Sequence, residues 1–208
     1  MYVPQSFVES DREVLGSFIR RYAFATVVSH GDELHVSHLP LLLLPDQGSQ
    51  GTLLGHMARA NDQWQDFDGE RPCLCIFHGP HAYISPTWYE KRPAVPTWNY
   101  AVVHVTGRPR RIEEPHALTA LLDRTMEEFA PSLRDPSSDV HPSEELRAAL
   151  LKQIVGFEIA IERVEGKFKL GQNRSAQDRA GIVRALEEIG GSNAEALIEL
   201  MKDADRRA

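Results

Sequence analysis

Between residues 24 and 112 the sequence sets β-rich runs one after another with only short turns between them, and this order restricts the fold more than any other feature. Parallel strands need crossovers of a dozen or more residues, usually helical, whereas antiparallel strands can join through two or three. Residues 24–29 and 34–41 flank the turn-like His30-Gly-Asp-Glu33 and predict a hairpin. Residues 52–57 predict a third strand, and residues 73–77 and 82–85 predict two more around the turn-like His78-Gly-Pro-His81. A long strand rich in Val and Thr follows over 100–112, and another over 156–165. Helices are predicted over 11–22, with Asp11 as N-cap and Val14, Leu15, Phe18 and Ile19 at helical spacing. A short helix over 60–67 has Asn61 as its cap, and longer ones cover 113–129, with Pro115 in the first turn, and 144–154. Two helices split by Gly190-Gly-Ser192 fill 176–205, and residues 134–142, polar and rich in Pro and Ser, predict a mobile loop. Early strands followed by helices describe an α+β protein with an antiparallel sheet or barrel.

The chain has 208 residues, 42% hydrophobic and 25% charged, which suits one domain of about 150 residues plus an appendage. Its net charge is −7 and its isoelectric point near 5.7, so a DNA partner would need a local basic patch. Cys73 and Cys75 are two apart, project to one strand face and are poorly placed to bridge, which predicts two reduced, buried thiols. The first ten residues lack the basic and apolar stretches of a secretory signal, and the apolar run 39–44 is broken by Pro40 and too short to span a bilayer. The expected location is the cytoplasm, with no membrane contact. Neither Gly-x-Gly-x-x-Gly nor Gly-x-x-x-x-Gly-Lys-[Ser/Thr] occurs, which argues against a Rossmann or P-loop site.

Three segments mix aromatic and polar groups. Gly55-His-Met-Ala-Arg-Ala-Asn-Asp-Gln-Trp64 leads from a strand into a helix, so Arg59 and the helix-start amides could meet an anion. Gly79-Pro-His-Ala-Tyr-Ile-Ser-Pro-Thr-Trp-Tyr89 puts Tyr83 and Ser85 on one strand face, followed by Trp88 and Tyr89 in an irregular segment. Val95-Pro-Thr-Trp-Asn-Tyr100 repeats the mixture of aromatic and amide. Aromatics in loops either cover a core or line a pocket, and two such segments make a pocket for a flat ring credible. Gly166-Lys-Phe-Lys-Leu-Gly-Gln-Asn-Arg174 adds three cations within nine residues, suited to a phosphate or carboxylate.

These blocks, together with Ser37-His-Leu-Pro-Leu41 and the opening Met1-Tyr-Val-Pro4, resemble the hallmark blocks of the PaiB family, in the same order over nearly the whole chain. The resemblance implies an antiparallel split β-barrel of the flavin-reductase and pyridoxamine-phosphate-oxidase kind over residues 1–174, with a helical extension over 175–208. It implies a homodimer binding FMN between subunits, and negative regulation of transcription. One departure stands out: Gly171 replaces a serine, which removes one hydroxyl from that block. On this reading Arg59, Lys169 and Arg174 are phosphate candidates. Ser37, His38, His56, Asn61, Ser85, Asn99 and Gln172 are candidates for polar contacts to the ribityl chain or ring edge. Tyr83, Trp88, Trp98 and Tyr100 would cover the ring.

No catalytic residue is assigned, because neither Gly-x-Ser-x-Gly nor His-Glu-x-x-His occurs. An enzyme built this way would be an FMN-dependent oxidoreductase, since flavin carries its own chemistry. Haem ligation by a histidine is the third reading. The pairs His35/His38 and His78/His81 are three apart, on opposite faces of a strand, so no metal site is expected. The helix at 193–205 carries Glu195, Glu199, Asp203 and Asp205 and is poorly suited to a DNA groove, whereas Arg108, Arg110 and Arg111 form the one dense basic cluster.

Overall fold

The computed structural model describes residues 1–130 and 143–207, and the loop expected over 134–142 lies outside them. Among the described residues eight strands are present: β1 (Val8–Glu9), β2 (Phe24–His30), β3 (Leu34–Pro40), β4 (Leu42–Leu44), β5 (Thr52–Ala58), β6 (Cys73–Ile84), β7 (Thr97–Ile112) and β8 (Ile154–Lys169). Five helices accompany them: α1 (Arg12–Arg21), α2 (Pro115–Phe129), α3 (Glu144–Leu151), α4 (Ala176–Ile189) and α5 (Ser192–Arg207). The antiparallel sheet runs β3-β2-β6-β7-β8-β5-β4, with β1 on β8, and it stays open, with β3 and β4 at the ends of the path. The strand order called for an antiparallel sheet or barrel and the family resemblance for a split barrel; the sheet is antiparallel and open.

The 24–41 hairpin forms as predicted, with Val27 opposite Ser37 in the β2–β3 register. One expectation fails. Residues 78–81 form no turn: β6 continues through Gly79 and Pro80 as a single 12-residue strand. Glycine at 79 serves close packing instead, since a Cβ there would lie 2.5 Å from Phe18 Cζ. Strand β3 ends at Pro40, and the short strand β4, which the sequence reading did not place, pairs with β5 at Leu42 and Leu54.

The chain divides into two compact units. The first comprises residues 1–18, 78–104 and 165–208, the second residues 19–77 and 105–164. In the first unit Phe18 and Phe168 pack at 5.1 Å, and Ile182, Leu186, Leu197 and Met201 of α4 and α5 are buried. In the second, Phe67 meets Phe157 edge-on at 5.0 Å, and Val27, Leu53 and Ile159 are buried. Gly55 allows this packing, because a Cβ would lie 2.6 Å from Phe157 Cζ. Cys73 and Cys75 are buried and free, as expected of small apolar side chains.

Candidate functional site

In the first unit, β7 alternates its side chains about the strand: Asn99 is buried, while Trp98 is 52% exposed and Tyr100 half-buried. Trp98 meets the half-exposed Tyr83 of β6 edge-on at 6.1 Å, and His81 tilts against the same indole at 6.1 Å. Beside them are the cations of β8 and the turn after it. Lys167 Nζ lies 5.5 Å from the centre of the Tyr100 ring, and Arg174 stacks over Tyr89 at 4.5 Å. Lys169 donates to Thr97 Oγ1. Burial pushes the Lys169 ammonium below the usual lysine range, and the positive Lys167 and Arg174 add to that shift against an opposing influence from Tyr100. Lys167 and Arg174 thus both bear on Lys169, while Arg174 also feels the carboxylate of Asp178.

The remaining candidates of this unit have structural partners. Ser85 Oγ caps the 3-10 turn Pro86–Trp88 by accepting from Thr87 N at 3.2 Å, and lies 2.7 Å from Thr87 Oγ1. Trp88 belongs to that turn. Gln172 closes the turn after β8, accepting from Leu170 N at 2.8 Å and donating to Phe168 O at 2.6 Å. Gly171 in that turn has φ +85°, a left-handed conformation that favours glycine. Asn99 Nδ2 faces Met201 Sδ at 3.9 Å, beneath Gly171.

In the second unit the candidates form a separate polar set. Asn61 Nδ2 donates to Ser37 Oγ at 2.8 Å, while its Oδ1 accepts from Gln63 N and caps the 3-10 turn Asp62–Asp66. His38 Nδ1 lies 3.1 Å from Thr26 Oγ1, and its ring stacks on Phe24. Burial pushes His56 below the usual histidine range, so its imidazole is neutral at pH 7. Arg59 directs its guanidinium at the backbone, donating to Lys152 O at 3.1 Å and Ile154 O at 3.0 Å.

The sequence reading missed a third group, also in the second unit. Asp66, 8% exposed, accepts from Ser29 Oγ at 2.6 Å and lies 2.8 Å from His35 Nδ1. Gln63, buried beside them, donates to Val27 O and Ser29 Oγ. A cavity of about 550 Å³ opens here, lined by His35, Glu33, Asp62, Asp66 and Arg71 among others. Thirty-one residues separate His35 from Asp66, so no local spacing signals the pair. Among the described residues, no group of three or more His, Cys, Asp or Glu could hold a metal ion. No helix among them is long and apolar enough to cross a membrane.

The open antiparallel sheet with its helices gives this chain the fold of the split-barrel class. The flavocytochrome Anf3 from Azotobacter vinelandii shares the fold at a TM-score of 0.63, covering 86% of this chain and 78% of that one, with 13% identity. The FAD and haem binding protein from Mycobacterium smegmatis does so at 0.55, covering 89% and 80%, with 14% identity. Within that class, the family described as "Putative FMN-binding domain" matches residues 1–163. Protease synthase and sporulation protein PAI 2 of Bacillus subtilis is 34% identical over 204 residues, 98% of this chain and 97% of its own. An uncharacterized protein of Aspergillus fumigatus is 32% identical over 207 residues, 76% of this chain and 77% of its own. The chain belongs to this FMN-binding domain family, in its PaiB branch, and FMN is the cofactor that membership assigns to it.

Proposed function

We propose that this protein is a flavin-responsive negative transcriptional regulator of the PaiB type, working as a cytoplasmic homodimer and repressing without a large direct DNA contact. The flavin part rests on one observation: Lys167, Lys169 and Arg174 crowd together in the same unit as the exposed Trp98 and Tyr83. An FMN phosphate among those cations would offset the burial and like-charge repulsion that disfavour the Lys169 ammonium. The faces of Trp98, Tyr83 and Tyr100 suit a planar ring. Residues 1–174 would carry the flavin and 175–208 form the helical extension. Bound FMN supplies reversible electron transfer, and the protein supplies its position and its field. The regulatory part is supported by the Bacillus subtilis relative, whose name joins protease synthase to sporulation.

Titration of FMN fluorescence tests the flavin site. Saturable quenching is expected with the native chain, and K169A and W98A are each expected to weaken binding roughly tenfold or more, as for a lost charge-assisted contact or stacking face. A native chain that leaves FMN fluorescence unchanged rejects the reading. Rapid bleaching of the bound flavin by NADPH would move the protein to the oxidoreductases. A solution mass near that of a single 23.4 kDa chain would remove the dimer.

A further inference from the structure

We propose that Asp178 is a positioning residue of the flavin site, through which α4 and α5 hold the aromatic segment 81–91 in register with the cations of β8. The inference rests on the flavin reading above and adds a part of the chain beyond the family match, which ends at residue 163. All the groups involved belong to the first unit.

Residues 85–91 leave β6 as an irregular segment, where backbone donors have no strand partner of their own. Asp178 supplies one. Its Oδ1 accepts from Glu90 N at 2.9 Å and from Lys91 N at 3.3 Å, and the residue is only 3% exposed. The sequence disguises this role. Asp178 stands three residues after Ser175, the N-cap of α4, and the pattern reads as an ordinary capping box. Ser175 Oγ does accept from Asp178 N at 3.1 Å, yet the carboxylate reaches out to a segment 87 and 88 residues away in sequence.

Two further contacts act on the same stretch, and a third holds the turn that carries Arg174. A Cβ on Gly181 would lie 2.2 Å from Trp88 O, so the α4 backbone sits directly against the Trp88 peptide. Asn193, at the start of α5, donates to His81 O at 2.6 Å and accepts from His81 N at 3.3 Å, as a neighbouring strand would. Arg179 donates to Arg174 O at 2.8 Å and pairs with Asp205 of α5 at 3.0 Å. The segment so held carries Tyr83, the His81 ring that meets Trp98, and the Tyr89 ring on which Arg174 stacks. Releasing Glu90 and Lys91 would free Tyr89, and with it the orientation of Arg174 toward Lys169.

The test compares D178A, D178N and N193A with the native chain, using FMN quenching and the visible circular dichroism of bound flavin. D178A is expected to raise the FMN Kd about tenfold and to alter the shape of the visible band, with far-ultraviolet dichroism unchanged. D178N keeps an oxygen acceptor and is expected to recover most of the affinity and the native band. A purely stabilising role would leave the band shape of the bound flavin unmoved. If D178A does not fold, N193A carries the test, with a Kd raised severalfold; a native Kd and band in N193A would then overturn the inference. Native binding by D178A, alongside weakened K169A and W98A, overturns the positioning role and leaves the flavin site standing. Native binding by K169A and W98A rejects the site and the inference with it.

Discussion

His35 shows how one hydrogen bond sets the chemistry of a side chain. Its pKa is raised chiefly by the hydrogen bond to Asp66, with help from the charges of Asp66, Glu33 and Asp62 and against the effect of burial. A histidine whose folded pKa lies above its unfolded value of about 6.5 stabilises the fold most below that value and loses its contribution as pH rises through the folded value. The stability difference between the native chain and H35Q, read from melting curves, is therefore expected to be largest below pH ~6.5 and to shrink above it. A difference that does not change with pH would remove this role for the pair. Removing the carboxylate in D66A leaves Ser29 Oγ without its acceptor, and is expected to cost about 1–3 kcal/mol. Such pairs were invisible in the sequence. Lys169, Arg174 and Trp98 could be singled out by residue type within short blocks, but Asp66 with His35 and Asp178 with Glu90 meet only across long separations. Arg59 illustrates the reverse: its type suits a phosphate, while its surroundings direct it to two backbone carbonyls.

At the scale of strands and helices, two glycines separate close approach from backbone strain. Gly107 of β7 faces β8 so tightly that a Cβ would lie 2.3 Å from Ala160 O, a main-chain atom that cannot rotate away. Gly190, between α4 and α5, has open space around it and φ +69° with ψ −175°, a region almost confined to glycine. G107A is thus expected to lose about 1–3 kcal/mol or more through overpacking, against about 1–3 kcal/mol for G190A through strain alone. Denaturant midpoints check both, and a G107A midpoint equal to the native one would show that the strands can part without cost. The same elements explain which parts of the fold were legible. Their β-rich composition between short turns marked β2, β3 and β5, and side-chain caps marked α1 and the turn after Asn61. Gly79-Pro80 misled because these residues usually punctuate a chain, whereas here they lie inside β6 beneath Phe18. Strand β4 was hidden by its three-residue length and by Pro40 before it.

For the whole molecule the deciding quantity is charge. A repressor gripping DNA directly releases counterions in proportion to the phosphates it neutralises, and its affinity falls steeply with salt. This chain carries −7 overall, and its densest basic cluster is already engaged. Arg108 pairs with Glu162 at 2.6 Å, Arg111 lies over the Trp64 ring at 5.7 Å, and the Arg110 side chain packs along Gly69. On α5, Asp203 and Asp205 hold Arg206 and Arg179, and that helix has few cations left to offer a groove. The expected result of a gel shift over a range of salt is weak retardation with a shallow dependence, a log–log slope of no more than about −2, as for two or fewer phosphate contacts. FMN should change that slope little, because the cations assigned to its phosphate are not those of the Arg108, Arg110 and Arg111 cluster. A steep slope that R108A, R110A and R111A together abolish would show that these arginines leave their partners for DNA, and would restore direct operator binding as the mode of repression. A shallow slope, combined with flavin-dependent repression in cells, would place control in a protein partner or in flavin chemistry, and the search for the target would then begin with co-purification in the presence and absence of FMN.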